Sequence, residues 1–276
     1  MVEKSKYPKS KSREKMLADY HTHTENSPDA KGSIEEYVRK AKEKALSEIG
    51  FSEHIMFHKI KDAPSMPIKS MPTYLQHFLS LREKSELPLK LGVEIDFIIG
   101  NEEKIGEFVQ KHPFDYVIGA VHFIGKWAVD HPSQTHEYAK RDIFQVYEEY
   151  FGIVKKLCES GLFDVLAHPD LIKIFGFRPK SDFSHTLVDV AEAMAKSNIC
   201  TEINTSGLRK PCKEIYPSEQ FLKILHDHNV PIVFGSDAHQ PEDVGRDFKE
   251  AVKLAKKAGY THTCVFNRRR RESLKI

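Results

Sequence analysis

His21 and His23 follow the apolar stretch Met16-Leu17-Ala18. In an extended strand, residues two apart point to the same side, so both imidazoles converge on one point. Near the other end of the chain the run VPIVFG at residues 230–235 leads through Ser236 into Asp237-Ala238-His239, again two ligand-type groups separated by one residue. Imidazole nitrogen and carboxylate oxygen are donors for divalent cations. Two such pairs, each at the end of an apolar run, predict a metal site.

Other apolar runs end in the same way. Glu53-His54 follows residues 49–52, Glu94 stands in Gly92-Val93-Glu94-Ile95-Asp96, His122 closes Gly119-Ala120-Val121-His122, His168 stands in Ala167-His168-Pro169-Asp170, and Asp29 lies on the loop after the first pair. Six His, two Asp and one Glu thus recur at strand ends: His21, His23, Asp29, His54, Glu94, His122, His168, Asp237 and His239. Nine donors exceed what one tetrahedral ion takes, but bridging carboxylates allow two or three ions a few ångströms apart. Mixed imidazole and carboxylate donors without thiolate favour zinc, manganese or iron over calcium or magnesium. Asp96 and Asp170 remain open between orienting ligands and folding their own loops.

The elements that must hold these groups are legible as alternation. Seven candidate strands, at residues 16–20, 49–52, 89–95, 116–121, 164–167, 199–203 and 230–235, alternate with helix-like stretches at 33–46, 141–160, 183–197, 218–228 and 242–257. Several of these stretches open on Ser or Asp, which cap helix N-termini. Parallel strands covered by crossover helices are the expected architecture, a barrel of the α/β class. In such barrels the carboxyl ends of the strands form one functional rim, which makes neighbours of residues far apart in sequence. Residues 59–73, with Pro64, Pro67 and Pro72, and residues 173–182 are expected loops.

Length and composition fit one domain spanning 1–276, with residues 1–14 an expected flexible polar segment. Hydrophobic residues make up 40% and charged residues 30% of the 276, as in an ordinary globular enzyme. A balance of 42 Lys plus Arg against 40 Asp plus Glu gives no electrostatic reason to expect nucleic acid or membrane as partner. The cysteines Cys158, Cys200, Cys212 and Cys264 show neither a paired spacing nor a secretory framework, and the basic start has no apolar core of a signal peptide, so a cytoplasmic location is expected. Arg268 to Arg271 is expected to be a solvated charge cluster near the C-terminus. The oligomeric state is not legible.

Taken together, the H-x-H start, Asp29 eight positions after His21, Glu53-His54, Gly-Val-Glu94, Val-His122, Ala-His168-Pro and Ser-Asp237-Ala-His239 resemble the PHP (polymerase and histidinol phosphatase) superfamily over residues 16–240. Asp19-Tyr20-His21-Thr22-His23-Thr24, the segment Asn204 to Pro211 and Ile215-Tyr216-Pro217-Ser218 are similar to its monofunctional histidinol-phosphatase branch. The resemblance implies a distorted seven-stranded (β/α) barrel with a trinuclear cluster. His21, His23, Glu94 and Asp237 would hold one ion; Glu94, His122 and His168 a second; Asp29, His54 and His239 a third. Many relatives have Gly directly after the equivalent of Asp29, where this chain has Ala30-Lys31-Gly32, so the third ion rests on the most divergent loop.

The implied activity is hydrolysis of L-histidinol phosphate, a small-molecule phosphate monoester, in histidine biosynthesis. Enzymes accelerate such reactions by up to ~10²¹, and a hydroxide bridging clustered cations is the expected nucleophile. Glu94, Asp237 and His239 are the candidate catalytic residues, with no general acid assigned. Arg209 and Lys210 are candidates for the phosphoryl oxygens, since a guanidinium forks two hydrogen bonds onto such groups. Trp127 and Asp130, in the loop after His122, are candidates for a wall against the substrate's imidazole and ammonium. The alternatives are a PHP phosphoesterase acting on nucleotides or oligonucleotide ends, and a non-catalytic metal-binding barrel.

Overall fold

Short apolar runs form parallel strands, and the amphipathic stretches between them form the helices that cover them. The computed structural model describes residues 17–57 and 64–276. The expected polar segment at 1–14 and residues 59–63 of the expected loop lie outside the described residues. In chain order the elements are β1 (Ala18–Asp19), α1 (Ile34–Glu43), β2 (Glu48–Phe51), β3 (His54–Ile55), α2 (Met71–Lys84), β4 (Leu89–Leu91), β5 (Glu94–Asp96), α3 (Glu102–Lys111), β6 (Ile118–Ala120), β7 (Phe123–Ile124), β8 (Trp127–Ala128), α4 (Ile143–Glu159), β9 (Val165–Leu166), α5 (Ser184–Ser197), β10 (Cys200–Asn204), α6 (Glu219–Asp227), β11 (Ile232–Gly235), α7 (Phe248–Ala258), β12 (His262–Asn267) and β13 (Arg270–Lys275).

The central strands are parallel. One sheet has the order β1-β2-β4 and a second the order β11-β10-β9-β6-β5-β3. On one side the two meet where β2 runs on into β3 and β4 into β5, the bonds from Gly92 N–H to Phe51 O at 2.8 Å and Glu94 N–H to Glu53 O at 3.1 Å carrying the pairing across; on the other side Tyr20 N–H donates to Phe234 O at 3.2 Å and His23 N–H to Ala238 O at 2.9 Å. Each of the seven expected strands is present within a residue or two, the third split into β4 and β5. All seven run with their carboxyl ends toward the expected site residues.

Two helices, α1 and α6, start on the Ser residues that open the expected stretches, α4 is capped one residue inside its stretch, and α7 starts at Phe248 rather than 242 because residues 241–243 form a short 3-10 turn. Ser33 accepts from the Glu36 N–H while Glu36 accepts from the Ser33 N–H, and the Asp142 and Ser218 side chains accept from Gln145 N–H and Phe221 N–H. A further correction concerns Pro72. The expected loop at 59–73 ends in helix, because Pro72 stands in the first turn of α2, where its missing N–H is not needed. Arg268, Arg270 and Arg271 are exposed, as expected of a solvated cluster, but the segment is also structural: Arg268 and Arg269, at φ 48° and 61°, turn β12 into β13, and Arg269 forks onto Asp164 with Nε at 2.8 Å and Nη2 at 3.1 Å. This hairpin packs Cys264, Val265 and Phe266 with Ala18, Tyr20, Tyr116 and Cys200 in an apolar cluster of its own. Among the described residues no helix is long and apolar enough to cross a membrane.

Candidate active site

The carboxyl ends of the strands carry every one of the nine predicted donors, and they meet. His21 and His23 leave β1 on one side, so that His21 Nε2 stands 3.3 Å from Glu94 Oε2 and 3.6 Å from Asp237 Oδ1, and His23 Nε2 stands 3.6 Å and 3.5 Å from the same two atoms. A second group forms around the other oxygen of Glu94, with His168 Nε2 at 3.2 Å and His122 Nε2 at 3.9 Å. In a third, Asp29 Oδ2 lies 3.2 Å from His239 Nε2 and 3.7 Å from His54 Nε2, and those two nitrogens are 3.4 Å apart. His54 also turns Nδ1 to Glu94 Oε2 at 2.7 Å and stacks on His23 with ring centroids 3.9 Å apart.

Local structure explains why these groups converge. The loop carrying Asp29 is tied to the last strand end by Lys31 N–H donating to His239 O at 3.0 Å. Buried Glu53 accepts from the hydroxyls of Thr24 and Ser27, both at 2.6 Å, and so holds the turn before Asp29. Gly32, the first glycine after Asp29, sits at φ 92°, and a Cβ there would lie 2.7 Å from Pro241. His168 and Asp237 themselves sit at φ 23° and 53°, strained backbone of the kind that clusters at functional sites. Asp237 keeps Oδ1 toward the imidazoles because Ser206 Oγ and Asn204 Nδ2 hold its Oδ2, at 3.1 and 3.4 Å.

The electrostatics are those of a cluster built for cations. Burial alone would raise the Glu94 carboxyl, but His21 and His54 hold it well below the usual range, and His21 and His23 do the same for Asp237. Burial would lower His21, yet Glu202, Glu94 and Asp237 push it well up; the same opposition brings His54 to about 8. His23 goes the other way, held down by burial and by the neighbouring His54 and His239. Crucially, His21 Nε2 and His23 Nε2 are buried and make no hydrogen bond, and the buried Glu94 Oε2 that faces them is approached by His54 Nδ1 at 2.7 Å. Unpaired buried polar atoms are costly, and a cation among them satisfies both nitrogens, so these residues fit divalent metal. Three sets of donors lie close enough to hold one: His21 with His23 and Asp237, His23 with His54 and His239, and His21 with Glu94 and His168.

Asp29, His54, Glu94, His122, His168, Asp237 and His239 line a cavity of about 450 Å³, with His21 and His23 buried beneath it, and its wall includes Asp96, Phe123, Asp130, Gln134, Ser206 and Lys210. Of the predicted substrate contacts, Asp130 and Lys210 line it; Arg209 and Trp127 do not. Arg209 points back into the protein, where Nη2 donates to Ser236 O at 2.7 Å, immediately before Asp237. Trp127 is buried in the β7–β8 hairpin against Tyr138, with the Arg141 guanidinium 4.8 Å over its ring. Of the two open aspartates, Asp96 orients a donor, its Oδ1 2.6 Å from His122 Nδ1, whereas Asp170 accepts from Ser218 N–H at 2.8 Å and fixes the start of α6.

Glu202, on β10, escaped the sequence argument although it touches His21 at 2.7 Å. The signal was its place inside an apolar strand, two residues before Asn204, where alternation turns both side chains to the same face.

An α/β protein with imidazoles and carboxylates gathered at the carboxyl ends of parallel strands is the class that fold and site define. The family described as the PHP domain matches residues 19–206. A probable histidinol-phosphatase of Deinococcus radiodurans is 34% identical over 258 residues, 92% of this chain and 98% of the relative. The chain belongs to the PHP domain family. Among solved structures, the histidinol phosphate phosphatase of Lactococcus lactis, complexed with zinc, L-histidinol and phosphate, is similar with a TM-score of 0.80 and 25% identity, over 93% of this chain and 98% of that one. A putative histidinol phosphatase of Listeria monocytogenes is similar with a TM-score of 0.76 and 25% identity, over 84% of this chain and 99% of that one.

Proposed function

We propose that this protein is a histidinol-phosphatase, a phosphoric monoester hydrolase that releases phosphate from L-histidinol phosphate in histidine biosynthesis. The observation that carries this is the convergence of nine donors, seven of them lining one cavity, in a chain 25% identical and similar over 93% of its length to a phosphatase that holds zinc, L-histidinol and phosphate. His21, His23, Glu94 and Asp237 would hold one ion, Glu94, His122 and His168 a second, and Asp29, His54 and His239 a third, with zinc the first candidate. Bound divalent ions neutralise a phosphate dianion, supply hydroxide near neutral pH and stabilise the leaving oxygen.

The chain's own residues do the rest. Lys210, on the cavity wall, supplies a cation to the phosphoryl oxygens, and Asp130 and Asp96 give that wall the negative charge that suits an ammonium and an imidazole. Arg209 acts at one remove, by fixing the Ser236 carbonyl and with it Asp237. His122 and His21 are each held through Nδ1 by a carboxylate, Asp96 and Glu202, which leaves Nε2 to face the cluster. The backbone bonds between the two sheets support one distorted seven-stranded barrel as a single domain.

Phosphate release after metal stripping, and after reconstitution with zinc, manganese or iron, tests the proposal over L-histidinol phosphate, AMP and a short oligonucleotide. Stripped protein should be inactive, and the reconstituted enzyme should favour histidinol phosphate in kcat/KM by at least about tenfold. Equal rates on all three substrates, or full activity without metal, would overturn it.

A further inference from the structure

One carboxylate touches two of the three donor groups. Glu202, buried in β10, brings Oε1 to 2.7 Å from His21 Nδ1, and its Oε2 accepts from the His168 backbone N–H and from Asn204 Nδ2, both at 2.9 Å. A carboxylate only accepts, so the Nδ1 of His21 carries a hydrogen, and when the ring is neutral or binds a cation it is the Nε2 lone pair that faces Glu94 and Asp237. His168, from the second group, sits at φ 23°, a conformation a non-glycine residue holds only when its surroundings impose it. The bond from its N–H to Glu202 is such an imposition. Rotating this one side chain would therefore release a ring in the first group and a backbone in the second.

The neighbouring strand leaves room for it. A Cβ at Gly235 would stand 1.8 Å from Glu202 Oε1 and 2.8 Å from the Cβ of His21. The φ of Gly235 is not among the positive values, so conformational freedom does not explain the glycine. Space for the carboxylate does.

We infer that Glu202 is a positioning residue shared by two donor groups, fixing the His21 tautomer and the His168 backbone together, and that Gly235 is glycine to admit it. This rests on the metal-centre proposal. It also requires a carboxylate: an amide at 202 has one oxygen to accept and must turn its NH₂ toward either the His21 ring or the His168 N–H.

The test uses the full chain, stripped of metal, as Glu202→Gln, Gly235→Ala and the double variant. Zinc affinity is read by competition with a chromophoric chelator, and the His21 tautomer by nitrogen-15 NMR of the metal-free protein at alkaline pH, where the ring is neutral. Each single variant should bind zinc about 10–100-fold more weakly and lose the single Nδ1–H form of His21. The double variant should bind no more weakly than the weaker single, because both act through one contact. Zinc affinity within about twofold of the parent, an unaltered tautomer, or losses that add in the double variant would overturn the inference. A parent chain that takes up no zinc would instead sink the metal-centre proposal, while the tautomer, which needs no metal, still decides the role of Glu202. Should Glu202→Gln fail to fold, Gly235→Ala retains every ionisable group and carries the same criteria.

Discussion

Asp96 Oδ1 stands 2.6 Å from His122 Nδ1, and the same ring turns Nε2 toward Glu94 Oε1 at 3.9 Å. Strand β5 thus supplies both a donor of the cluster, Glu94, and the group that aims its neighbour, two residues on and on the same face. Replacing Asp96 with Ala should free the ring and weaken metal retention about 10–100-fold, with kcat falling in step. Asn, whose amide oxygen still accepts from Nδ1, should lose less. Metal content after dialysis, measured beside kcat, checks both; full retention in Asp96→Ala would contradict the orienting role.

Lys210 and Arg209, adjacent in sequence, part company in space, one on the cavity wall and one bonded to Ser236 O at 2.7 Å. Lys210→Ala should therefore raise KM for histidinol phosphate about tenfold while kcat stays within about threefold. Arg209→Ala should instead lower kcat and metal content together, since it frees the peptide before Asp237. Steady-state kinetics with metal analysis separates the two; a pure KM effect at Arg209 would return it to the substrate.

The donors were legible because each follows an apolar run, and parallel strands gather their carboxyl ends whatever the loops do. His21, Glu94, His168 and Asp237 needed only that rule. Glu202 was missed because it sits within a strand rather than after one, so the strand-end rule passes over it, and its one signal is the apolar run around it. Arg209 is ambiguous in sequence for the complementary reason: a guanidinium after a strand end reads alike whether it faces the cavity or, as its Nη2 does, a backbone carbonyl. Helix α2 was obscured by Pro72, which breaks a helix interior but suits its first turn.

Tyr116 fills the space between two glycines of neighbouring strands. A Cβ at Gly50 would lie 2.2 Å from its hydroxyl, and one at Gly92 would lie 2.2 Å from Cζ. Gly50→Ala should destabilise the protein by about 1–3 kcal/mol through overpacking. Tyr116→Phe should cost about 1 kcal/mol for the hydrogen bond to Tyr20 O. The double variant should be less destabilised than the sum, because removing the hydroxyl relieves the clash. Urea unfolding of the four proteins checks this, and strict additivity would refute the contact.

Lys173 is only 1% exposed and is held by Asp170 Oδ2 and Glu214 Oε2, both at 2.9 Å, and by Ile215 O at 2.8 Å. Burial alone would raise the Glu214 carboxyl, but Lys173 and Arg178 outweigh it and hold the group below the ordinary glutamate value of 4.5. The unfolded chain then takes up the proton first as pH falls, so stability due to Glu214 is complete above 4.5 and is lost as pH drops through the depressed folded value. Glu214→Gln should accordingly lower the urea midpoint at neutral pH, and the gap between the two proteins should narrow steadily once the medium is more acidic than 4.5. Unfolding curves of both proteins across that range measure it. A gap that stays constant on acidification would mean that the carboxylate charge contributes nothing to holding the buried lysine.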